Sequence, residues 1–274
     1  MPIIETNALT RRFGDLVAVD AMTISVEAGE TFGLLGPNGA GKTTAIKMLI
    51  TLLPPTSGDA KVAGFSILRR ASAVRRVIGY VPQMLSTEGT LTGYENLLIF
   101  ARLYDISHSE RKMRIHNALK FMGLEEEADR LVRTYSGGMV RRLEIAQSIL
   151  HRPPVLFLDE PTVGLDPLAR KAVWEHVEQL RSEYGTTILM TTHLMEEADS
   201  MCDRVAIMHR GKVVASFCLG TKKLYDFIDN SPVFSFHPTE YVNDPAVISQ
   251  QNKMVANNTA LEVDLTGQVC ADSI

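Results

Sequence analysis

Eight consecutive residues, Gly36-Pro37-Asn38-Gly39-Ala40-Gly41-Lys42-Thr43, followed by Thr44, constrain this chain more than any other stretch. They match the phosphate-binding loop pattern, with glycine at both fixed positions and then Lys-Thr. Phe32 to Leu35 before the loop reads as a short buried strand, and Ala45 to Leu53 after it reads as a helix. A loop between strand and helix aims successive backbone N–H groups and a helix N-terminus at one point, which suits a polyphosphate. Glycines let the backbone approach closely where side chains would block it. Lys42 is expected on the β- and γ-phosphates, and the Thr43 hydroxyl on Mg²⁺. The chain is therefore expected to bind a nucleoside triphosphate.

A length of 274 residues allows one large domain with a small appendage. Apolar content of 45% and charged content of 22% are those of an ordinary globular protein. A net charge of −4 gives no global reason to hold nucleic acid or an anionic membrane. The basic pairs Arg69-Arg70, Arg75-Arg76 and Arg141-Arg142 read as solvated helix faces. Cys202, Cys218 and Cys270 are widely spaced, which argues against a disulfide framework or a zinc site and fits a reducing compartment. Met1 to Glu5 has neither the basic nor the apolar region of a signal peptide. No run approaches the roughly 18 apolar residues of a membrane span, so action at a membrane implies a separate partner.

Along the chain, Ile3 to Phe13 predicts a strand, and the alternation of Met22 to Val26 predicts a second, half-exposed one. Pro54-Pro55 is expected to stop the helix after the loop, and strands are expected around Ala60 to Val62 and Val77 to Val81. The pattern from about 90 to 150 is helical, an insertion between strand-rich portions. Val155 to Leu158 then resumes the sheet as an unbroken apolar run. A helix opens at Pro167 and ends near Gly185. Thr186 to Thr192 reads as a strand, and Val205 to Met208 with Val213 to Ser216 as a hairpin about Arg210-Gly211. Beyond Gly220 the pattern weakens into a small appendage, with a helix end at Phe227 to Ser231 and alternation at Val233 to Phe236 and Leu261 to Leu265.

Asp159 and Glu160 follow the buried run at Leu158, at the end of the sheet where nucleotide sites lie. Asp159 is expected to hold Mg²⁺ opposite Thr43. Glu160, pointing to the other side, is expected to polarise a water for in-line attack on the γ-phosphate. Upstream, Tyr135-Ser136-Gly137-Gly138-Met139 opens a helix with Val140, Leu143, Ala146 and Leu150 on one face. This is a second anion-binding helix start in one chain.

On these motifs the sequence resembles the ATP-binding subunits of ABC transporters, over about Ile3 to Gly220. The resemblance identifies Ser136-Gly137-Gly138 with the family's signature motif, which closes over the γ-phosphate bound by the opposite subunit of a dimer. It implies that Phe13 stacks on adenine, and that Gln83 contacts Mg²⁺ or the attacking water and senses a membrane partner. Asp166, in Gly164-Leu165-Asp166, matches the loop that crosses the dimer interface, and is also well placed to cap the helix at Pro167. His193 matches the switch histidine on the γ-phosphate. Tyr135 and Met139 depart from the commonest signature, Leu-Ser-Gly-Gly-Gln. This form, with Arg141-Arg142-Leu143-Glu144 after it, resembles the daunorubicin-resistance-type branch of exporters.

The expected fold is an α/β P-loop NTPase of ABC type: a mixed central sheet, an antiparallel β-subdomain and a helical insertion over about 90–150. Residues 1–220 would form the ATP-binding domain and 221–274 a short C-terminal appendage. The expected function is an ATPase that powers export through separate integral-membrane permease subunits at the cytoplasmic face of the membrane. ATP and Mg²⁺ are the expected cofactors, and a second copy or a homologous ATPase the expected partner. Nucleic acid is not expected. Competing readings are a non-transport ABC ATPase acting on DNA or ribosomes, and a P-loop GTPase. The GTPase needs an Asn-Lys-x-Asp motif, and Asn252-Lys253-Met254-Val255 lacks its Asp.

Overall fold

The computed structural model describes residues 2–213 and, further on, two short strands. The chain divides into two compact units, Met1–Ser235 and Phe236–Ile274. The expected boundary at 220, the far side of the hairpin at 214–216, and the helix and strand expected near 227–236 lie outside the described residues.

Strand β1 (Pro2–Phe13) pairs antiparallel with β2 (Leu16–Met22) and with β3 (Ser25–Glu27). The single strand expected over Met22 to Val26 is thus broken in two. The Thr6 hydroxyl bridges the gap: it donates to the Met22 carbonyl at 2.9 Å and accepts from the Ile24 N–H at 2.8 Å. Ala8 and Ala21 take left-handed backbone angles, φ 47° and 46°, where the register of β1 shifts against β5 and against β2 respectively, as bulges allow. Strand β4 (Thr31–Leu35) is wholly buried and runs into the phosphate loop. Helix α1 (Lys42–Leu49) starts inside the motif, three residues before its predicted start. It also stops earlier than Pro54-Pro55 suggests, because Thr51 turns left-handed, φ 65°.

Strands β5 (Ser57–Val62) and β6 (Phe65–Ser66) complete the antiparallel sheet on the far side of β1. A short helix α2 (Ala71–Arg76) leads to β7 (Ile78–Val81). The insertion follows as α3 (Gly93–Leu103), α4 (His108–Phe121) and α5 (Gly137–Ile149). A capping box starts α3, with Thr92 and Glu95 each accepting from the other's backbone N–H. The chain then continues through β8 (Val155–Asp159), α6 (Pro167–Tyr184), β9 (Thr187–Thr192), α7 (Met195–Met201), β10 (Arg204–His209) and β11 (Lys212–Val213). Arg210 and Gly211, both at positive φ, form the two-residue turn between the last two strands. In the second unit, β12 (Glu262–Val263) pairs antiparallel with β13 (Val269–Cys270).

The central sheet has the order β11-β10-β4-β9-β8-β7, parallel except for the edge strand β11. Its strands alternate between two cores. Val155, Phe157 and Leu189 join α1 and the antiparallel sheet, whereas Leu156, Leu158, Ile188 and Met190 join the helices of the insertion and α6. Burial on both faces explains why these strands read as continuous apolar runs. The expectation of solvated arginine pairs fails at Arg141. Its guanidinium is buried on α5, whereas Arg69, Arg70, Arg75 and Arg76 are exposed.

Candidate active site

The phosphate loop is shaped by close packing. Gly41 sits at φ 105°, and a Cβ there would lie 2.2 Å from the Ala18 carbonyl oxygen of β2. Only glycine satisfies both the angle and the approach. Gly36 N–H donates to the Thr192 carbonyl at 3.2 Å, and the Ala40 carbonyl accepts from Gly211 N–H at 2.9 Å, so β9 and the β10–β11 turn hold the two ends of the loop. Pro37, Asn38 and Gly39 are exposed, and a Cβ on Gly39 would meet open space. Lys42 is 4% exposed; its ammonium donates to the Gly36 carbonyl at 2.6 Å and the Pro37 carbonyl at 3.2 Å. The charge therefore lies inside the curve of the loop. The N–H groups of Lys42, Thr43 and Thr44 open α1 and, as first-turn donors, have no partner within the helix.

Asp159 ends β8 directly opposite Thr191 of β9. Its Oδ1 accepts from the Thr191 hydroxyl at 2.6 Å and from the Thr43 hydroxyl at 3.0 Å. Strand alternation puts Asp159 on the α1 side with Val155 and Phe157, and would turn Glu160 away. The structure corrects that expectation. Glu160 adopts φ 46°, and its N–H is held by the Thr191 hydroxyl at 2.9 Å. This left-handed residue brings the carboxylate back to the loop, where Oε1 lies 3.1 Å from the Lys42 ammonium. Glu160 Oε2 accepts from the Gln83 amide at 3.2 Å and lies 3.3 Å from His193 Nδ1. Lys42, Thr43, Gln83, Asp159, Glu160 and His193 thus form one cluster at the C-terminal ends of the parallel strands. Gln83 reaches Glu160 there, not Thr43 or Asp159.

The remaining predicted residues stand apart from that cluster. Ser136 caps α5, accepting from Met139 N–H at 3.3 Å. A Cβ on Gly137 would lie 3.6 Å from Leu165, and one on Gly138 only 2.7 Å from the Ala169 Cβ of α6. Asp166 caps α6, accepting from Ala169 N–H at 2.9 Å. Ser136 to Gly138 and Asp166 therefore share a neighbourhood of their own. Phe13 ends β1 beside the β1–β2 turn, its ring 45% exposed with the Arg11 guanidinium 4.6 Å from its centroid. Tyr135, in the place of leucine, donates to the Glu127 carbonyl at 2.5 Å and fills the space that Gly93 leaves.

Several supporting residues escape sequence reading. Glu197 of α7 is buried and accepts from the hydroxyls of Thr162 and, at 2.8 Å, Thr192, so it ties the segment after Glu160 to the segment before His193. Arg141 and Glu144 form a second buried charged group on α5. Tyr80 of β7 has its hydroxyl pKa pushed up to about 12 by burial and by the Asp159 charge. The hydroxyl stays neutral throughout the physiological range.

A protein-family model described as ABC transporter matches residues 19–163. A second, the acetyl-CoA hydrolase/transferase C-terminal domain, matches 220–274. The linearmycin resistance ATP-binding protein LnrL of Bacillus subtilis is 40% identical over 80% of this chain and 70% of its own. The daunorubicin/doxorubicin resistance ATP-binding protein DrrA of Streptomyces peucetius is 45% identical over 80% of this chain, which spans 66% of that relative. Among solved structures, a dimeric ATP-binding cassette in a post-hydrolysis state, bound to ADP and Pi, superposes with a TM-score of 0.69 at 26% identity. That match covers 77% of this chain and 96% of the other.

Proposed function

Because this chain belongs to the ABC transporter family, we propose that it is the ATP-hydrolysing subunit of an exporter and works as a dimer beneath separate integral-membrane subunits. The observation that carries the reading is the division of the site. Lys42, Thr43, Gln83, Asp159, Glu160 and His193 converge on one loop, while Ser136 to Gly138 lie against Leu165 and Ala169. A second copy, contributing its Ser136 and Gly138, completes each site in this reading, with Asp166 at the interface and Phe13 against adenine. The dimeric solved relative supports that arrangement.

The residues fit Mg²⁺ bound with the nucleotide. The Thr43 hydroxyl and Asp159 carboxylate, 3.0 Å apart, are hard oxygen donors, and such sites take only one or two protein ligands with phosphates and water. Among the described residues no group of three or more His, Cys, Asp or Glu gathers to hold a metal by itself. When bound, the ion neutralises phosphate charge. Lys42 and the loop N–H groups hold the phosphates, Glu160 takes up the proton of the attacking water, and Gln83 and His193 fix the Glu160 carboxylate. Catalysis is then positioning and charge compensation, as phosphoryl transfer requires.

Among the described residues no helix is long and apolar enough to cross a membrane. Met84 and Leu85, next to Gln83, are 82% and 56% exposed, and Ile99 and Leu103 of α3 are also exposed. These apolar side chains suit a helix of the membrane partner at the cytoplasmic face, and Leu91 nearby is half-buried. The resistance proteins among the relatives support a drug or antibiotic as cargo.

Glu160→Gln is the test. Hydrolysis should fall by about 100-fold or more, the loss of a positioned general base. The variant should run as a dimer on gel filtration with ATP and as a monomer without it. Pull-down of the trapped form from membranes should recover an integral membrane protein. Recovery of DNA or ribosomes instead would overturn transport in favour of an ABC ATPase acting on those.

A further inference from the structure

Arg141 and Glu144 are both 2% exposed, one helical turn apart on α5, and the hydrolytic cluster uses neither. The Arg141 guanidinium forks onto two backbone carbonyls of the Gln83 segment: Nη1 donates to Pro82 at 2.6 Å and Nη2 to Gln83 at 2.9 Å. Nη1 also meets Glu144 Oε2 at 2.9 Å. Glu144 Oε1 in turn accepts from the Ser86 N–H at 2.5 Å and the Ser86 hydroxyl at 3.0 Å. Gln83, Met84, Leu85 and Ser86 all expose their side chains, while the backbone on either side of Met84-Leu85 is anchored inward to one helix. That helix begins at Ser136-Gly137-Gly138, five residues, or roughly 7–8 Å, before Arg141.

Taking two charges out of water is costly, and a well-packed apolar pair of similar volume would hold a core together as well or better. What an apolar pair cannot do is grip two carbonyls and an N–H of a surface loop in fixed register. The geometry points to Arg141 and Glu144 as positioning residues that make the Gln83 loop and the Ser136–Gly138 helix one moving part. A push on Met84 or Leu85 then shifts the Gln83 amide at Glu160 and the helix start offered to the other subunit together. Neither contact can be made or broken without the other. This inference rests on the function proposed above and names how its two half-sites are kept in step.

The test is a double-mutant cycle in ATP hydrolysis by the full chain, run well below the melting temperature of every variant. Glu144→Gln should lower kcat about 10-fold while leaving KM for ATP within about twofold, since Lys42 and its loop are untouched. In a Gln83→Ala background the same substitution should cost less than about twofold, because Glu144 acts through Gln83. Ser86→Pro, at an exposed residue, removes both the N–H and the hydroxyl that Glu144 Oε1 accepts, while the Arg141–Glu144 contact through Oε2 stays in place. It should reproduce the same pattern, and it decides the matter if Glu144→Gln does not fold. Equal losses in both backgrounds, or no loss in either, would overturn the inference while leaving the ATPase reading intact. Absence of ATP hydrolysis by the wild-type chain would overturn the function reading and this inference with it.

Discussion

Thr191 does two jobs with one hydroxyl: it donates to Asp159 and accepts from the backbone N–H of Glu160, the left-handed residue that brings the second carboxylate to the loop. Thr191→Val keeps the shape of the side chain and removes both bonds. It should cost about 1–3 kcal/mol of stability by denaturant titration, the range for stranding buried polar groups. It should also raise the Mg²⁺ concentration needed for half-maximal hydrolysis, and Thr191→Ser should restore both. Lys42, Thr43, Asp159 and Glu160 are legible in the sequence because they lie at fixed spacing or at the end of an apolar run. Thr191 is not, since a threonine in a strand reads as a β-branched filler. Glu197 is hidden likewise, four residues after His193 on a helix where a carboxylate suggests solvent. The backbone angle at Glu160 has no sequence signal either, and it is what reverses the predicted direction of that side chain.

The elements of the central sheet are the most legible part of the fold, because strands covered on both faces must be apolar throughout. The antiparallel portion is less so. Its break between β2 and β3 depends on left-handed alanines and on the Thr6 hydroxyl, none of which differs by type from residues in an unbroken strand. Between elements, His151 joins α3 and β7 just after α5. Its ring stacks on Tyr104 with centroids 3.7 Å apart, and Nε2 donates to the Ile78 carbonyl at 3.0 Å. Burial pushes its pKa down to about 4, assisted by the Arg114 charge and opposed by the Ile78 bond. The folded chain holds this histidine neutral, whereas the unfolded chain protonates it near 6.5. Its contribution is present above that value and is lost as pH falls from 6.5 to 4, by at most about 3 kcal/mol. Unfolding titrations across that window should show the loss, and His151→Phe should flatten it.

At the scale of the whole molecule, two cores on opposite faces of one sheet set out the two halves of the proposed site. The α1 face carries the loop and Asp159; the helical face carries Ser136 to Gly138, with Arg141 and Glu144 behind them. Packing of Gly138 on Ala169 and of Gly137 near Leu165 keeps the second half beside the Asp166 segment. The consequence is genetic as much as chemical. Lys42→Ala and Ser136→Arg should each silence a strain carrying only that allele, because in the proposed dimer every pair of subunits then has two damaged sites. Together in one cell they should complement: half the pairs formed at random are mixed, and each mixed pair rebuilds one intact site from the sound parts of both copies. ATP-driven transport should return in proportion to about a quarter of the full number of working sites. Two alleles of a one-piece enzyme would give no such rescue, and their failure to complement here would mean that each copy does its chemistry alone.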